Sequence, residues 1–517
     1  EIFASPSRLR SAFHARSMAR ATPSVTRVVC SRPGRELSLR VWSSPFAPWF
    51  DFMRSRVSSS LVRAVAIALV TVAVAHADEP ASEAKPSEKG PKASTKQPVA
   101  TVPDASKPPV VTEHAITIDG KELAYKAEAG MLPLLKDDGS PRANIFYVAY
   151  TVGDDADAAK RPVVFCFNGG PGAAAVWLHL GGLGPRRARV NEDATLPPPP
   201  FELVDNEHTI LPVADLVFID PVATGYSRAA KDEKPEQFFG KDPDIAAMGE
   251  FIRLYTTRNK RWRSPKYLCG ESYGVFRAAG LAAELQDRHG MFMNGLVLVS
   301  GLIDYGTILP AAANDLPYAL YLPSFTAVAH AHGRLPKDLQ ADRDGAIAEA
   351  EAFASGEYVT ALFAGASLPE AKRTEIAATI ARLTGLSAKL VVDHDLRVSP
   401  SVFREQLLAD ERLILGRFDA RITSRDGDHS GREPRFDPSF DAALGPLAAA
   451  MNAYVREELG FESDLPYRVL TGVGPWPQVQ NRYASTASDL AEAMSRNHHL
   501  RVLVQTGRCD LAIPYRS

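Results

Sequence analysis

Residues 270–274, Gly270-Glu271-Ser272-Tyr273-Gly274, hold one serine between two glycines, each two positions away. The apolar run 266–270 leads into the serine, and a helix-like run over 276–290 follows it. This is the pattern of a nucleophile elbow. A strained strand-to-helix turn lifts the hydroxyl clear, small neighbours let a substrate approach, and the helix N-terminus faces a developing oxyanion. A lone G-x-S-x-G often arises by chance, but the strand before and the helix after favour a nucleophile here. A second stretch, Asn168-Gly169-Gly170-Pro171-Gly172, directly follows the apolar run 162–167. Its glycines allow close backbone approach to a ligand, and N–H groups in such a loop can form the other half of an oxyanion hole. Alone it would read as a structural turn; its place one sheet connection before the elbow favours catalysis.

Elements must hold these two corners together, and the pattern supplies them. Residues 115–130 and 144–151 alternate apolar and polar, as an antiparallel hairpin does. Continuous apolar runs follow at 162–167, 215–220, 266–270, 295–300 and 500–507, which predict strands covered on both faces of a mostly parallel sheet. Helical patterns at 244–259 and 276–290 lie between them, the second stopped by Gly290. The fold class is therefore α/β. From 302 to about 465 the pattern turns mainly helical, for example over 335–356 and 369–385. That interruption predicts a cap inserted into the sheet domain, of the kind that shapes a pocket.

A third stretch, "DLVFIDPVATGYSRA" (215–229), joins the other two. Together the three closely resemble the serine carboxypeptidase family, which has the α/β-hydrolase fold. The resemblance runs over nearly all of 114–517, and "NDLPYALYLPSF" (314–325) and "GRFDARIT" (416–423) look like the family's bacterial branch. It implies a serine-type carboxypeptidase acting on peptides with a free C-terminus, without cofactor or metal. It implies Ser272 as nucleophile and the N–H groups of Gly170 and Tyr273 as oxyanion-hole donors. Asn168, Gly169 and Glu271 would hold the substrate's C-terminal carboxylate, and Asp510, in "GRCDLAIP", would be the acid that orients a catalytic histidine. Glu271 beside a substrate carboxylate would share a proton with it, favouring activity in mild acid and losing it as pH rises. The alternative is a solvated glutamate.

This sequence departs from the family at two places. Cys166 and Gly182 stand where eukaryotic members have a tryptophan and a glutamate that help bind the terminal carboxylate. Strict exopeptidase specificity is thus less firmly implied than hydrolysis, and an esterase or acyltransferase of the same fold is the alternative. Val275, where relatives have a small residue, is expected to narrow the pocket.

The base is the missing piece. In this fold the chain order is serine, acid, histidine. None of the twelve histidines follows Asp510, and the sequence printed here ends at Ser517. His179 is expected to pack or face solvent, and His498 and His499 to lie at the wrong end of the last strand. The expectation is that the histidine, with a further strand and helix, lies beyond residue 517, and that the polypeptide as written is nearly inactive. A non-catalytic peptide-binding relative is the reading from another class.

Composition adds the setting. Among 517 residues, 59 Lys and Arg balance 61 Asp and Glu, so nothing points to nucleic acid as a partner. Residues 53–77 carry arginines at 54, 56 and 63, an apolar run from Ala64 to Ala75, and end in Ala-His-Ala, as a secretory leader does. The run is shorter than the about 20 residues that span a bilayer, so no membrane anchor should remain after cleavage. The expected location is periplasmic or secreted. Residues 1–52 read as upstream translation before a start at Met53, and 78–113, rich in Pro, Ser, Ala and Lys, as a disordered linker. Cys166, Cys269 and Cys509 remain after export; all lie in or beside apolar runs, and none has metal-site spacing.

Overall fold

The computed structural model describes residues 103–153, 159–191, 193–425, 436–476 and 482–517. The expected upstream segment 1–52, the leader 53–77 and the linker as far as residue 102 lie outside the described residues.

Three antiparallel strands come first: β1 Val110–Ile118, β2 Lys121–Leu135 and β3 Pro141–Thr151. The boundary expected at 114 is corrected to Val110, because residues 110–113 already pair with 126–129 of β2. The expected strand 115–130 is in fact two, divided at Asp119-Gly120 with φ of 50° and 75°. Positive φ at both central residues is what a type I′ hairpin turn requires, and Asp-Gly suits it.

The parallel part follows: β4 Val163–Phe167, β5 Asp215–Ile219, β6 Lys266–Glu271, β7 Gly295–Val299 and β8 Arg501–Gln505. Their order across the sheet is β1-β2-β3-β5-β4-β6-β7-β8, with Arg228–Ala229 adding a short ninth strand beside β3. β3 runs antiparallel to β5, and β5, β4, β6, β7 and β8 run parallel. This is the α/β-hydrolase arrangement. Every residue of β4, β5, β6 and β7 is buried, as the apolar runs predicted. The run 500–507 departs from that expectation. Among the described residues β8 pairs only with β7, and Val504 is 63% exposed.

Side-chain alternation divides the core between the two faces. Val163, Phe165 and Phe167 pack with α1 (Lys241–Arg258) and α2 (Tyr273–His289), while Val164 and Cys166 face the opposite cluster. Helix α2 stops at Gly290, which takes a left-handed φ of 60°. Cys166 and Cys269 are buried and Cys509 partly so, all as free thiols.

The helical insertion contains α3 Leu316–Ala331, α4 Arg343–Phe353 and α5 Glu370–Thr384, with a two-stranded ribbon of Leu413–Leu415 and Thr423–Arg425. These share a separate hydrophobic cluster running from Ala319 to Ala420, joined by Leu511. Its limits are narrower than the expected 302–465. Helix α6 (Pro438–Ala453) instead places Ala443, Leu447, Ala450 and Met451 in the cluster on the sheet's own face. Helix α7 (Ala487–Arg496) adds Ala493 to the core on the α1–α2 side. Among the described residues, no helix is long and apolar enough to cross a membrane.

Candidate active site

The corner that carries Ser272 forms where β6 hands over to α2. Ser272 sits between them at φ 58°, ψ −125°, a conformation that costs energy for any residue with a Cβ. Two backbone bonds secure it: Ser272 N–H donates to Val299 O at 3.0 Å, and Val275 N–H donates to Ser272 O at 2.9 Å. The flanking glycines are steric necessities. A Cβ on Gly270 would overlap the Gly274 carbonyl, and one on Gly274 would stand 2.7 Å from Phe167 O. Ser272 is 6% exposed.

The glycine loop leaves β4 and lies directly against that corner. A Cβ on Gly169 would overlap the amide nitrogen of Tyr273 and stand 2.8 Å from Glu271 O. Gly170 takes φ 98°, and the turn is closed by Ala173 N–H donating to Gly169 O at 3.1 Å. The two sequence-expected halves of an oxyanion hole are thus neighbours, brought together at the carboxyl ends of adjacent strands β4 and β6.

Asn168 and Glu271 meet beside them, both buried. Asn168 Nδ2 donates to Glu271 Oε2 at 2.8 Å, and Asn168 Oδ1 accepts the Leu178 N–H at 3.0 Å. Glu271 Oε1 is buried with no hydrogen-bond partner among the described residues. Burial pushes the Glu271 carboxyl up to about 8; Asp510 adds to the shift, while Asn168 and the Gly169 N–H oppose it. Glu271 is therefore no solvated surface residue.

Asp510 follows β8 and is 3% exposed, where a loop aspartate would ordinarily be solvated. Its Oδ1 accepts N–H bonds from Ala512 at 2.8 Å and Ile513 at 3.0 Å, and its Oδ2 is buried without a partner among the described residues. Burial raises its carboxyl, against those two N–H donors. Asp510 borders a cavity of about 380 Å3 whose lining also includes His330, Arg343, Arg421 and Arg508.

The remaining expectations resolve individually. Val275 does not narrow a pocket: it is buried against Gly301, where any Cβ would overlap its side chain. Cys166 is fully buried in the core, and Gly182 lies in the short π-turn His179–Leu183, its carbonyl bonded by Asn206 Nδ2 at 2.8 Å. His179 packs, as expected. Its ring stacks on Phe218 at 4.3 Å, its Nε2 meets Tyr150 Oη at 2.6 Å, and burial pushes it down to about 3. His498 and His499 precede β8, at the opposite end from Asp510. His330 was not singled out by the sequence; its Nε2 lies 3.1 Å from Gln340 O. The "DPVATGYS" stretch proves to be a brace. Asp220 Oδ1 accepts the Ala175 N–H at 2.8 Å and the Tyr467 hydroxyl at 3.2 Å, fixing the chain just after the glycine loop. Among the described residues, no cluster of three or more His, Cys, Asp or Glu could hold a metal ion.

Residues 119–329 match the family model described as serine carboxypeptidase. No curated protein matches the chain. Solved structures similar to it include KEX1(delta)p, a prohormone-processing carboxypeptidase from Saccharomyces cerevisiae, at 18% identity over 75% of this chain and 74% of that one, with a TM-score of 0.41. A membrane phospholipase A described as a bacterial virulence factor shares 16% identity over 37% and 40% of the two chains, at a TM-score of 0.20. An esterase from Pyrobaculum calidifontis shares 17% identity over 36% and 48%, at a TM-score of 0.20. The chain thus spans about three quarters of the carboxypeptidase and less than half of the phospholipase and the esterase.

Proposed function

Over residues 119–329 this is a chain of the serine carboxypeptidase family, and from that premise we propose that it is an exported serine-type carboxypeptidase. The observation that carries the reading is the contact between two corners: the glycine loop lies backbone to backbone on the turn that presents Ser272, with Gly169 against the Tyr273 nitrogen. Ser272 Oγ attacks the last peptide carbonyl of the substrate while its proton passes to a histidine. The N–H groups of Gly170 and Tyr273 hold the resulting oxyanion. Collapse expels the C-terminal amino acid as its amine, which takes the proton back, and leaves an acyl group on Ser272. Water, deprotonated by the same histidine, then releases the shortened peptide and restores the serine.

Asn168 and Glu271 receive the substrate's terminal carboxylate. A protonated Glu271 can donate a hydrogen bond to that carboxylate, whereas an ionised one repels it. Asp510 orients the histidine and stabilises its imidazolium, whose charge favours the ionised form of the buried acid. Export to the periplasm or medium belongs to this proposal; it rests on the leader pattern at 53–77.

Assay of the full-length protein against blocked dipeptides with free carboxylates, the same peptides amidated, and simple esters tests the reading. Turnover confined to free carboxylates supports it. Strong turnover on esters alone favours an esterase, and no turnover on any of them favours a non-catalytic peptide binder.

A further inference from the structure

Helix α2, which Ser272 launches, carries one charged side chain that points back into the site. Arg277 is 1% exposed, though an arginine in the second turn of a helix ordinarily reaches water. Its Nε and Nη2 donate to Asp244 Oδ2 and Oδ1 at 2.8 and 3.1 Å, a forked pair with a carboxylate in the first turn of α1. Its Nη1 donates to Asn168 O at 2.6 Å. The guanidinium lies over the rings of Phe167 and Tyr273, at 5.5 and 5.1 Å, the residues that end β4 and begin α2.

We infer that Arg277 is a positioning residue of the oxyanion hole, fixing the peptide plane from which the glycine loop departs. The inference rests on the carboxypeptidase reading. The 168–169 peptide is held through its carbonyl, which accepts from Arg277. The next peptide carries the Gly170 N–H, the donor assigned to the oxyanion. Glycine peptides rotate at little steric cost, so a run of Gly169 and Gly170 has small intrinsic preference for the orientation that catalysis needs. A rotated plane would turn the N–H away and present a carbonyl oxygen to the developing negative charge. Asp244 engages Nε and Nη2 along one edge of the guanidinium, so Nη1 can hold the carbonyl without rotamer freedom of its own. A buried ion pair is a poor source of stability compared with apolar packing of the same volume. Its place between the nucleophile's helix and the oxyanion loop gives it a use that apolar packing could not supply.

The test removes the pair without leaving a buried charge: Arg277→Met combined with Asp244→Leu in the full-length protein, with Arg277→Lys as the conservative variant. The double variant should fold with a Tm close to wild type. Its kcat should fall about 10–100-fold while KM stays within about threefold, because only the transition state uses the hole. Affinity for a tetrahedral peptidyl boronate should fall in step with kcat, and affinity for the product amino acid should not. Arg277→Lys keeps the charge but lacks the fork, and should fall between. Wild-type kcat in a folded double variant would overturn the proposal alone, as would equal losses of boronate and product affinity. A wild-type protein that turns over no peptide would overturn the parent reading and this inference with it.

Discussion

Asn168 Nδ2 donates to Glu271 Oε2 across 2.8 Å, joining the residue that opens the glycine loop to the one that precedes Ser272. Each residue was singled out from its own motif; the bond between them joins the two motifs in one buried pair. It also fixes what Glu271 can do. One carboxylate oxygen is engaged by an amide donor, and the other is buried without a partner among the described residues.

Glu271 should therefore set the alkaline limit of substrate binding. Its folded pKa, raised to about 8, lies above the ordinary value, so the proton is held through neutral pH and lost as pH rises past that point. KM for a free-carboxylate peptide should rise about tenfold per pH unit above the transition, as loss of one proton requires. Glu271→Gln, which cannot ionise, should give a KM that stays flat over the same range. An unchanged KM profile in the variant would remove Glu271 from carboxylate binding.

Gly169 should tolerate no side chain. A Cβ there overlaps the Tyr273 amide nitrogen, which is backbone and cannot swing aside. Gly169→Ala should lower kcat/KM by at least about 100-fold, the scale of losing one oxyanion donor. Gly120 takes a left-handed φ of 75° but has open space around it. Gly120→Ala should cost about 1 kcal/mol of stability and leave kcat/KM unchanged. Equal effects of the two on activity would contradict the close-contact account.

His179 makes stability depend on pH in a defined direction. Burial favours its neutral form, so its folded pKa of about 3 lies below the unfolded 6.5. The unfolded chain then binds more protons between those values, and this contribution is complete above about pH 6.5 and lost as pH falls toward 3. The loss is on the order of 5 kcal/mol at the acid end. Denaturant titrations of wild type and His179→Gln across that range should converge as pH falls. Parallel curves would show that the ring is not held neutral.

The parallel strands β4 to β7 were legible because strands buried on both faces need unbroken apolar runs, and few other elements produce them. The same rule misread β8. Val502, Leu503 and Val504 are as apolar as the others, and only the neighbours of a strand decide whether it is an edge. Asp119-Gly120 carried a turn signal inside a run that alternation made look continuous. At the site, Ser272 and the glycine loop were legible because steric demands there are local and leave glycines at fixed offsets. The buried states of Asp510 and Arg277 were not. An aspartate in a loop and an arginine in a helix read as solvated until tertiary contacts enclose them. Asp220 shows the converse: its motif stood out in the sequence, while its role as a brace for Ala175 depends on contacts far along the chain.

The most direct test of the central claim is covalent labelling of the full-length protein with a fluorophosphonate, followed by peptide mapping. The account predicts a single adduct on Ser272 that forms in step with loss of peptidase activity and is absent from Ser272→Ala. Peptidase activity that survives in Ser272→Ala, or an active protein that forms no adduct on Ser272, would contradict it.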